Sequence, residues 1–397
     1  MLIEQVINIK KLDLSVRGKL SIEMAILFNQ ISDESRIPFT HFIEQCSEPY
    51  KQKLDWWVAS PASRNVLASP LFHYYCGFKL VLRLIEQKKL PPEIVVDSKA
   101  FGEILKKLFL ETENSVNICL NRSWKSRIRI WLFPFLPFLF FAFHYFFIKL
   151  CAWKSAKVQK DLKISPHALI DTFVFPGFIE NDRTYTGLWE NLSAEEQEKI
   201  YFVPNLHGFS YSELHSTYCK LRKSQKKFLI KEDFLKISDY LYALSHSFRI
   251  FLWKFPNAYF EKVNVSSLIR EELWSNLGYS SSVMGLLNYR FARRLKKSKF
   301  SMNIVINRFE NQVIDKGWNA GFLKYFPEVK RIGYQGFIMS EQYLCMYPTR
   351  FEHECGVLPS TVAVIGKGHK LNRKEFFSDL KMMVAPALRF HGVWKER

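Results

Sequence analysis

An α/β fold built on a parallel sheet is what this sequence predicts, and three observations carry that expectation. Short apolar runs alternate with helical patterns along most of the chain, several of those runs are apolar on both faces as buried strands are, and apolar residues make up 48% of the 397 positions, enough to fill real cores.

After an amphipathic opening, LSVRGKLSIEMAILFNQI (14–31), the segment LDWWVAS (54–60) reads as a strand, SPASRN as the loop after it, and SPLFHYYCGFKLVLRLIEQ (69–87) as a helix. EIVVDS (93–98), the helix FGEILKKLFLE and VNICL (116–120) follow. ALIDTFVFP (168–176) and KIYFVPN (199–205) are further buried-strand candidates. MNIVINRFE (302–310) leads into a helix from Asn311 to about Tyr325, and RIGYQG (331–336) closes the unit. A sheet of this kind holds ligands at the carboxyl ends of its strands. LPSTVAVIGKG then has the form of another buried strand ending in a Gly-rich turn, with about 40 residues to follow, whereas a Rossmann-like domain needs on the order of 100. The expected organisation is a helical segment over 1–52, a Rossmann-like domain over 53–350 and the start of an incomplete second one over 351–397.

Within the main domain lies an insertion, 122–160. Its 19 residues from Ile130 to Ile148, IWLFPFLPFLFFAFHYFFI, carry no formal charge. Arg122, Lys125, Arg127 and Arg129 precede them and Lys149, Lys154, Lys157 and Lys160 follow, with Trp124, Trp131 and Trp153 near the ends, where indoles favour a bilayer interface. A straight helix of that length reaches roughly 28 Å, barely a bilayer core, and Pro134 and Pro137 interrupt its first half. Basic flanks at both ends and strands on both sides favour a re-entrant or in-plane anchor over a crossing. The competing reading is a buried hydrophobic helix pair.

Lys and Arg (57) exceed Asp and Glu (38) by 19, so the surface attracts phosphates of nucleic acid, anionic lipid or nucleotide-sugars. Aromatics gathered in one apolar block, not interleaved on a strand platform, set nucleic acid well behind the others. Seven scattered cysteines without a CxxC pair argue against a disulfide framework and a zinc ribbon and fit a reducing cytoplasm. The N-terminus has no signal-peptide pattern. GxSxG, HxxxH and GxxxxGK[ST] do not occur, and His353 and Cys355 in FEHECG lack metal-site spacing, so neither a metal nor a cofactor is expected.

Two places in the sequence can carry chemistry. In SPASRN, Ser60, Ser63, Arg64 and Asn65 sit where helix-start amides and a guanidinium can hold an anion; a capped helix start explains the same residues. Glu310, Asn311 and Gln312 sit where a strand gives way to a helix, so that Glu310 can act as general base or stabilise an oxocarbenium-like state, with Lys316 one turn later and Gln335 at the end of the next strand. A helix-dipole role for Glu310 is the plainer alternative. The basic clusters KLRKSQKKFLIK (220–231) and RFARRLKKSK (290–299) suit anionic headgroups or are simply solvated helix faces.

DWWVASPASRNVLASPLFHYYC (55–76), LIDTFVFPGF (169–178), FLIKEDFLKISDYLYAL (228–244), RFENQVIDKGWNAGFLKYFPEVKRIGYQGF (308–337) and LPSTVAVIGKG (358–368) together resemble bacterial surface-carbohydrate biosynthesis proteins of the lipopolysaccharide and capsule type, which look like GT-B glycosyltransferases. The resemblance covers nearly the whole chain from about residue 14, and its most specific part is the ENQ and GYQG pair; the resembling sequences often carry a His after GYQ, where this chain has Gly336. It implies a transferase, or an inactive membrane-bound scaffold or glycan-binding relative. The implied partners are a nucleotide-sugar donor, a lipid-linked or polysaccharide acceptor, anionic membrane lipids at the inner face of the bacterial inner membrane, and a second chain that completes the C-terminal domain.

Overall fold

The computed structural model describes residues 10–121, 128, 132–156, 168–180, 182–255, 257–275 and 278–395. Two parallel sheets organise them. The smaller has strands β1 (Leu12–Asp13), β2 (Glu93–Val96) and β3 (Asn117–Leu120) in the order β1-β2-β3. Helices Ile22–Ser47, Leu71–Glu86 and Lys99–Glu111 pack with it. Ser21 and Ser98 start the first and third of these by accepting the amides of Met24 (3.4 Å) and Phe101 (3.0 Å). In the second, Leu71, Tyr74, Tyr75, Phe78, Val81 and Leu84 recur every three or four residues and are all buried. The predicted boundary at residue 52 therefore does not separate an independent helical segment: β1 pairs with β2, and Ile22–Ser47 lies in the same core as Leu71–Glu86.

The larger sheet contains β4 (Ala168–Val174), β5 (Ile200–Leu206), β8 (Ile304–Arg308), β9 (Lys330–Gln335), β10 (Thr361–Val364) and β11 (Met382–Val384), while β6 (Tyr259–Phe260) and β7 (Val263–Asn264) form a separate antiparallel ribbon. Its order is β11-β10-β9-β8-β4-β5, every pairing parallel. The chain thus enters in the interior at β4, places β5 on one side, then crosses to build β8 through β11 on the other. That reversal between β4 and β8 is the topological switch point of a Rossmann-like sheet. Both faces are covered, as a parallel sheet requires: along β4, Leu169 joins the core with Val283 and Trp318, and Ile170 joins the opposite core with Phe202 and Tyr218.

Two predictions fail here for identifiable reasons. LDWWVAS is not a strand but two single-turn helices, Leu54–Trp57 and Ser60–Ser63. In a strand, Trp56 and Trp57 would point to opposite faces; here both are buried, and their indole N–H groups donate to Ser47 Oγ (2.7 Å) and the Lys51 carbonyl (2.9 Å). The segment from 351 does not open a second sheet either. β10 lies between β9 and β11 in the same sheet as β8, so STVAVIGKG has parallel neighbours on both edges.

Of the uncharged run, the structure describes the helix Phe135–Ser155, mean hydropathy 1.8, long and apolar enough to cross a membrane by length and composition. Flanking Arg122, Trp124, Lys125, Arg127, Arg129, Trp131, Lys157 and Lys160 lie outside the described residues. The helix is no buried pair member, since only 22% of its most apolar window is covered. One side, with Tyr145, Cys151, Ala152 and Ser155, packs lengthwise on helices Tyr211–Lys223, Lys231–Phe234 and Ile237–Leu244, leaving Phe135, Leu139, Phe140, Phe143 and Phe146 exposed.

Helices Tyr279–Lys297 and Val313–Tyr325 cross so closely that a β-carbon at Gly317 would lie 1.9 Å from the Gly285 carbonyl oxygen, and one at Gly285 2.6 Å from that of Val313. This contact sets the height of the Val313–Tyr325 helix start over the sheet. Gly317→Ala should force the helices apart and lower the unfolding free energy by at least the ~1–3 kcal/mol typical of overpacking; urea unfolding that shows a wild-type midpoint would refute the contact.

Candidate functional site

Three strand ends meet where the sheet order reverses. β4 runs out into Phe175, β5 into His207 and β8 into Glu310, and together they border a cleft of about 250 Å³ whose wall also includes Phe173, Arg308 and Gln312. Arg308 and Glu310 are two residues apart at the end of an extended segment, so both side chains leave the same face. They form an ion pair in which Gln312 Nε2 also donates to Glu310 and Tyr343 hydroxyl lies 3.4 Å from the same carboxylate. The Arg308 guanidinium sits 4.8 Å from the Phe173 ring centroid and 5.6 Å from that of Phe337, held flat in a cation–aromatic stack.

Asp315 fixes the backbone beneath this pair. Its Oδ2 accepts the amides of Glu310 and of Gln312, the N-cap of the Val313–Tyr325 helix, each at 3.0 Å, and its Oδ1 accepts Asn307 Nδ2 at 3.1 Å. Burial pushes this carboxyl up to about 7 against the pull of the Gln312 amide, with Glu310 and Asp171 adding to the rise. Between Glu310 and the helix, Asn311 takes φ of 55°, a left-handed conformation that Asn tolerates better than most residues.

His207 closes the other side. Its ring centroid is 4.5 Å from that of Phe173, and its Nε2 is buried without a hydrogen-bond partner. Burial, reinforced by the charges of Lys231 and Arg308, brings its pKa down to about 4, so the imidazole is neutral at pH 7. Beneath it, Asn205 donates to Asp171 Oδ1 (2.5 Å), and Lys231 donates to the side-chain oxygens of Asn205 and Asn288. Burial raises the Asp171 carboxyl to about 6 despite the nearby Lys231. The cleft thus offers a carboxylate, a guanidinium, a neutral imidazole and aromatic ring faces within one small volume, the functional groups needed to stack a flat ring, pair an anion and receive a proton.

Of the residues predicted from sequence, Glu310 and Gln312 line this cleft. The others do not. Asn311, Arg64 and Lys316 converge behind it on Glu352, which the sequence did not single out: Arg64 Nη2 donates to Glu352 Oε2 at 2.8 Å, Asn311 Nδ2 to the same oxygen at 3.0 Å, and Lys316 Nζ lies 2.9 Å from Oε1. Arg64, Lys316 and Glu352 are all buried, and Lys316 also donates to the Ala62 carbonyl. The anion that Arg64 and Lys316 hold is therefore a side chain of this protein, not a ligand phosphate. Ser63 Oγ donates to the Ser60 carbonyl (2.6 Å) and accepts the Asn65 amide (3.1 Å), and Asn65 Oδ1 accepts the Leu67 amide (3.0 Å): SPASRN shapes its own turn. Ser60 borders a cavity of about 20 Å³, too small for a sugar. Gln335 is fixed between the Met346 carbonyl (3.1 Å) and Arg373 (3.0 Å). At Gly336, a β-carbon would lie 2.5 Å from the Tyr334 ring, which is itself tied to the Pro386 carbonyl, so a side chain there requires that ring to move.

Arg308 and His207 are among the cleft residues the sequence reading missed, with Phe173, Phe175 and Asp315. The first was recoverable from RFENQ, since the residue two before Glu310 shares its face; the second is the position just past the KIYFVPN strand run. Among the described residues, no group of three His, Cys, Asp or Glu side chains is arranged to hold a metal ion. No family model, curated protein or solved structure matches the chain.

Although burial opposes its charge, Arg64 and Lys316 hold the Glu352 carboxyl down at about 2, below its ordinary 4.5. A depressed carboxylate stabilises the fold fully above the unfolded value and loses that contribution as pH falls toward the folded one. Glu352→Gln should therefore cost about 3–5 kcal/mol at pH 7 by leaving two buried cations uncompensated, and the gap from wild type should shrink between pH 4.5 and 2. Urea titrations across that range measure both.

Proposed function

We propose that this chain is a glycosyltransferase-like protein of bacterial surface-polysaccharide or lipopolysaccharide assembly, peripheral or monotopic at the cytoplasmic face of the inner membrane, that moves a sugar from a nucleotide-sugar to a lipid-linked or growing glycan. The observation that supports it most is the placement of Glu310, Arg308 and His207 at the switch point of the parallel sheet, in a cleft beside a helix with an exposed apolar face. In this reading Arg308 exchanges the Glu310 carboxylate for a substrate phosphate. Glu310, released, takes the proton of the acceptor hydroxyl as that oxygen bonds to the anomeric carbon, and the nucleotide leaves with the electrons of the broken bond. Phe173 and Phe175 offer ring faces on which the sugar or the base stacks.

An inactive glycan-binding scaffold of the same pathway is the second reading. It is favoured by one feature, the satisfaction of Glu310 by Arg308, Gln312 and Tyr343 before any ligand enters.

Glu310→Gln separates the two, since it removes a charge and keeps the shape. Transfer from a panel of nucleotide-sugars should fall by about 10²–10⁴-fold; near-normal turnover would remove Glu310 from the chemistry, and binding without turnover in the wild type would favour the scaffold. The membrane half of the proposal predicts that the protein sediments with vesicles containing anionic lipid and that Leu139→Ser/Phe143→Ser/Phe146→Ser releases it. Equal sedimentation of both proteins would refute it.

A further inference from the structure

The exposed face of the Phe135–Ser155 helix and the polar cleft are joined by a pocket that neither accounts for. It has a volume of about 390 Å³. Phe140 stands at its mouth, and Leu214, Met284 and Leu287 form its walls. Phe140 is 61% exposed and belongs to the outward stripe with Phe143 and Phe146 as well as to this pocket, so the opening lies on the apolar surface itself. At the inner end stand His207, Lys231 and Glu232. His207 is shared with the 250 Å³ cleft that contains Arg308 and Glu310, which makes the two spaces neighbours across one imidazole.

We propose that this pocket seats the hydrocarbon chain of one membrane-derived amphiphile with a phosphate head, the chain entering at Phe140 and the head reaching past His207 to Arg308. The gradient of chemistry along the path argues for this occupant. Its entrance is aromatic and exposed, so a chain can pass from a lipid surface into the pocket without crossing water, and each methylene buried there gains the free energy of leaving an aqueous or interfacial environment. Its inner end is polar but nearly balanced, because Lys231 and Glu232 face it together. An anionic head therefore gains little inside the pocket and most beside Arg308, the guanidinium of the next cleft. His207 Nε2, buried and without a partner, lies at the junction where the phosphate or the first sugar hydroxyl passes, and as a neutral ring it can donate or accept there. A wholly polar ligand leaves the pocket empty, and an uncharged hydrocarbon brings no anion to Arg308, which stays paired with Glu310 alone.

The inference rests on the proposed transferase reading only in making the head the acceptor; occupancy by the chain is tested without transfer. Calorimetric titration of the purified full-length chain with hexyl, octyl and decyl phosphate, each below its micelle concentration, should show affinity rising about fourfold per added methylene, equivalent to ~0.8 kcal/mol, with inorganic phosphate far weaker. Met284→Trp fills the pocket and should weaken decyl phosphate at least tenfold while vesicle sedimentation is retained. Phe143→Ser/Phe146→Ser, on the stripe outside the pocket, should do the reverse. An affinity independent of chain length would overturn the proposal even if Met284→Trp did not fold, and so would decyl phosphate binding lost with the stripe and kept in the filled pocket. Chain-length-dependent binding by a protein that transfers no sugar would remove the transferase reading alone; a flat series in an active transferase would remove only the lipid pocket.

Discussion

Glu352 accepts hydrogen bonds or a charge from two stretches of chain that the sequence keeps far from it, Arg64 standing 288 positions before it and Asn311, in the same stretch as Lys316, 41 positions before it. A lone carboxylate could not be buried there, nor could either cation; the set is stable only when all members are present. Because Arg64 belongs to the turn after Leu54–Trp57 and Lys316 to the first turns of the Val313–Tyr325 helix, the hub locks the smaller α/β unit to the helix that presents Glu310. The Glu310 end of the cleft is held from behind by buried charges that pair with one another.

That division of labour shows how the cleft keeps its own charges available. Glu310 and Arg308 pair with each other at the rim, where side chains retain some exposure and an incoming anion can displace a carboxylate. Lys231 is screened by two asparagines beneath the floor, and Asp315 is committed to backbone amides. Burial therefore sorts the ionisable groups into those that shape the backbone and those free to exchange partners. Both classes line the cleft, and of them the Arg308–Glu310 pair is the one whose members hold each other and not the backbone.

Strands of continuous apolar character, such as Ala168–Val174 and Ile200–Leu206, were legible in the sequence because a parallel sheet covered on both faces demands that composition. The Glu310 and Gln312 pair was legible because a strand end followed by a helix start puts side chains at a sheet's carboxyl edge. What could not be read was the pairing. Arg64, followed by Asn and preceded by small residues, has the local pattern of an anion site, and only the fold supplies Glu352 as its anion. Trp56 and Trp57 have high strand propensity, and partners at Ser47 and Lys51 outweigh it. Likewise, LPSTVAVIGKG has every local mark of a domain's opening strand, and its place beside β9 depends on contacts that no window of sequence contains.

Order of synthesis gives the exposed helix a further consequence. Phe135–Ser155 precedes the helices that cover its inner side: those beginning at Tyr211 end at Phe251, and Tyr279–Lys297, whose Tyr279 ring lies 5.2 Å from that of Phe141, comes later. At translation rates of about 5–20 residues per second, those intervening residues take roughly 5–20 s to emerge. During that interval the largely apolar helix lacks the helices Tyr211–Lys223, Lys231–Phe234 and Ile237–Leu244 that later cover it. β4, the next strand, gains β5 early, but its other edge stays open until β8 is complete at Arg308. A ribosome that translates this chain therefore displays a hydrophobic helix before any strand of the large sheet has been made.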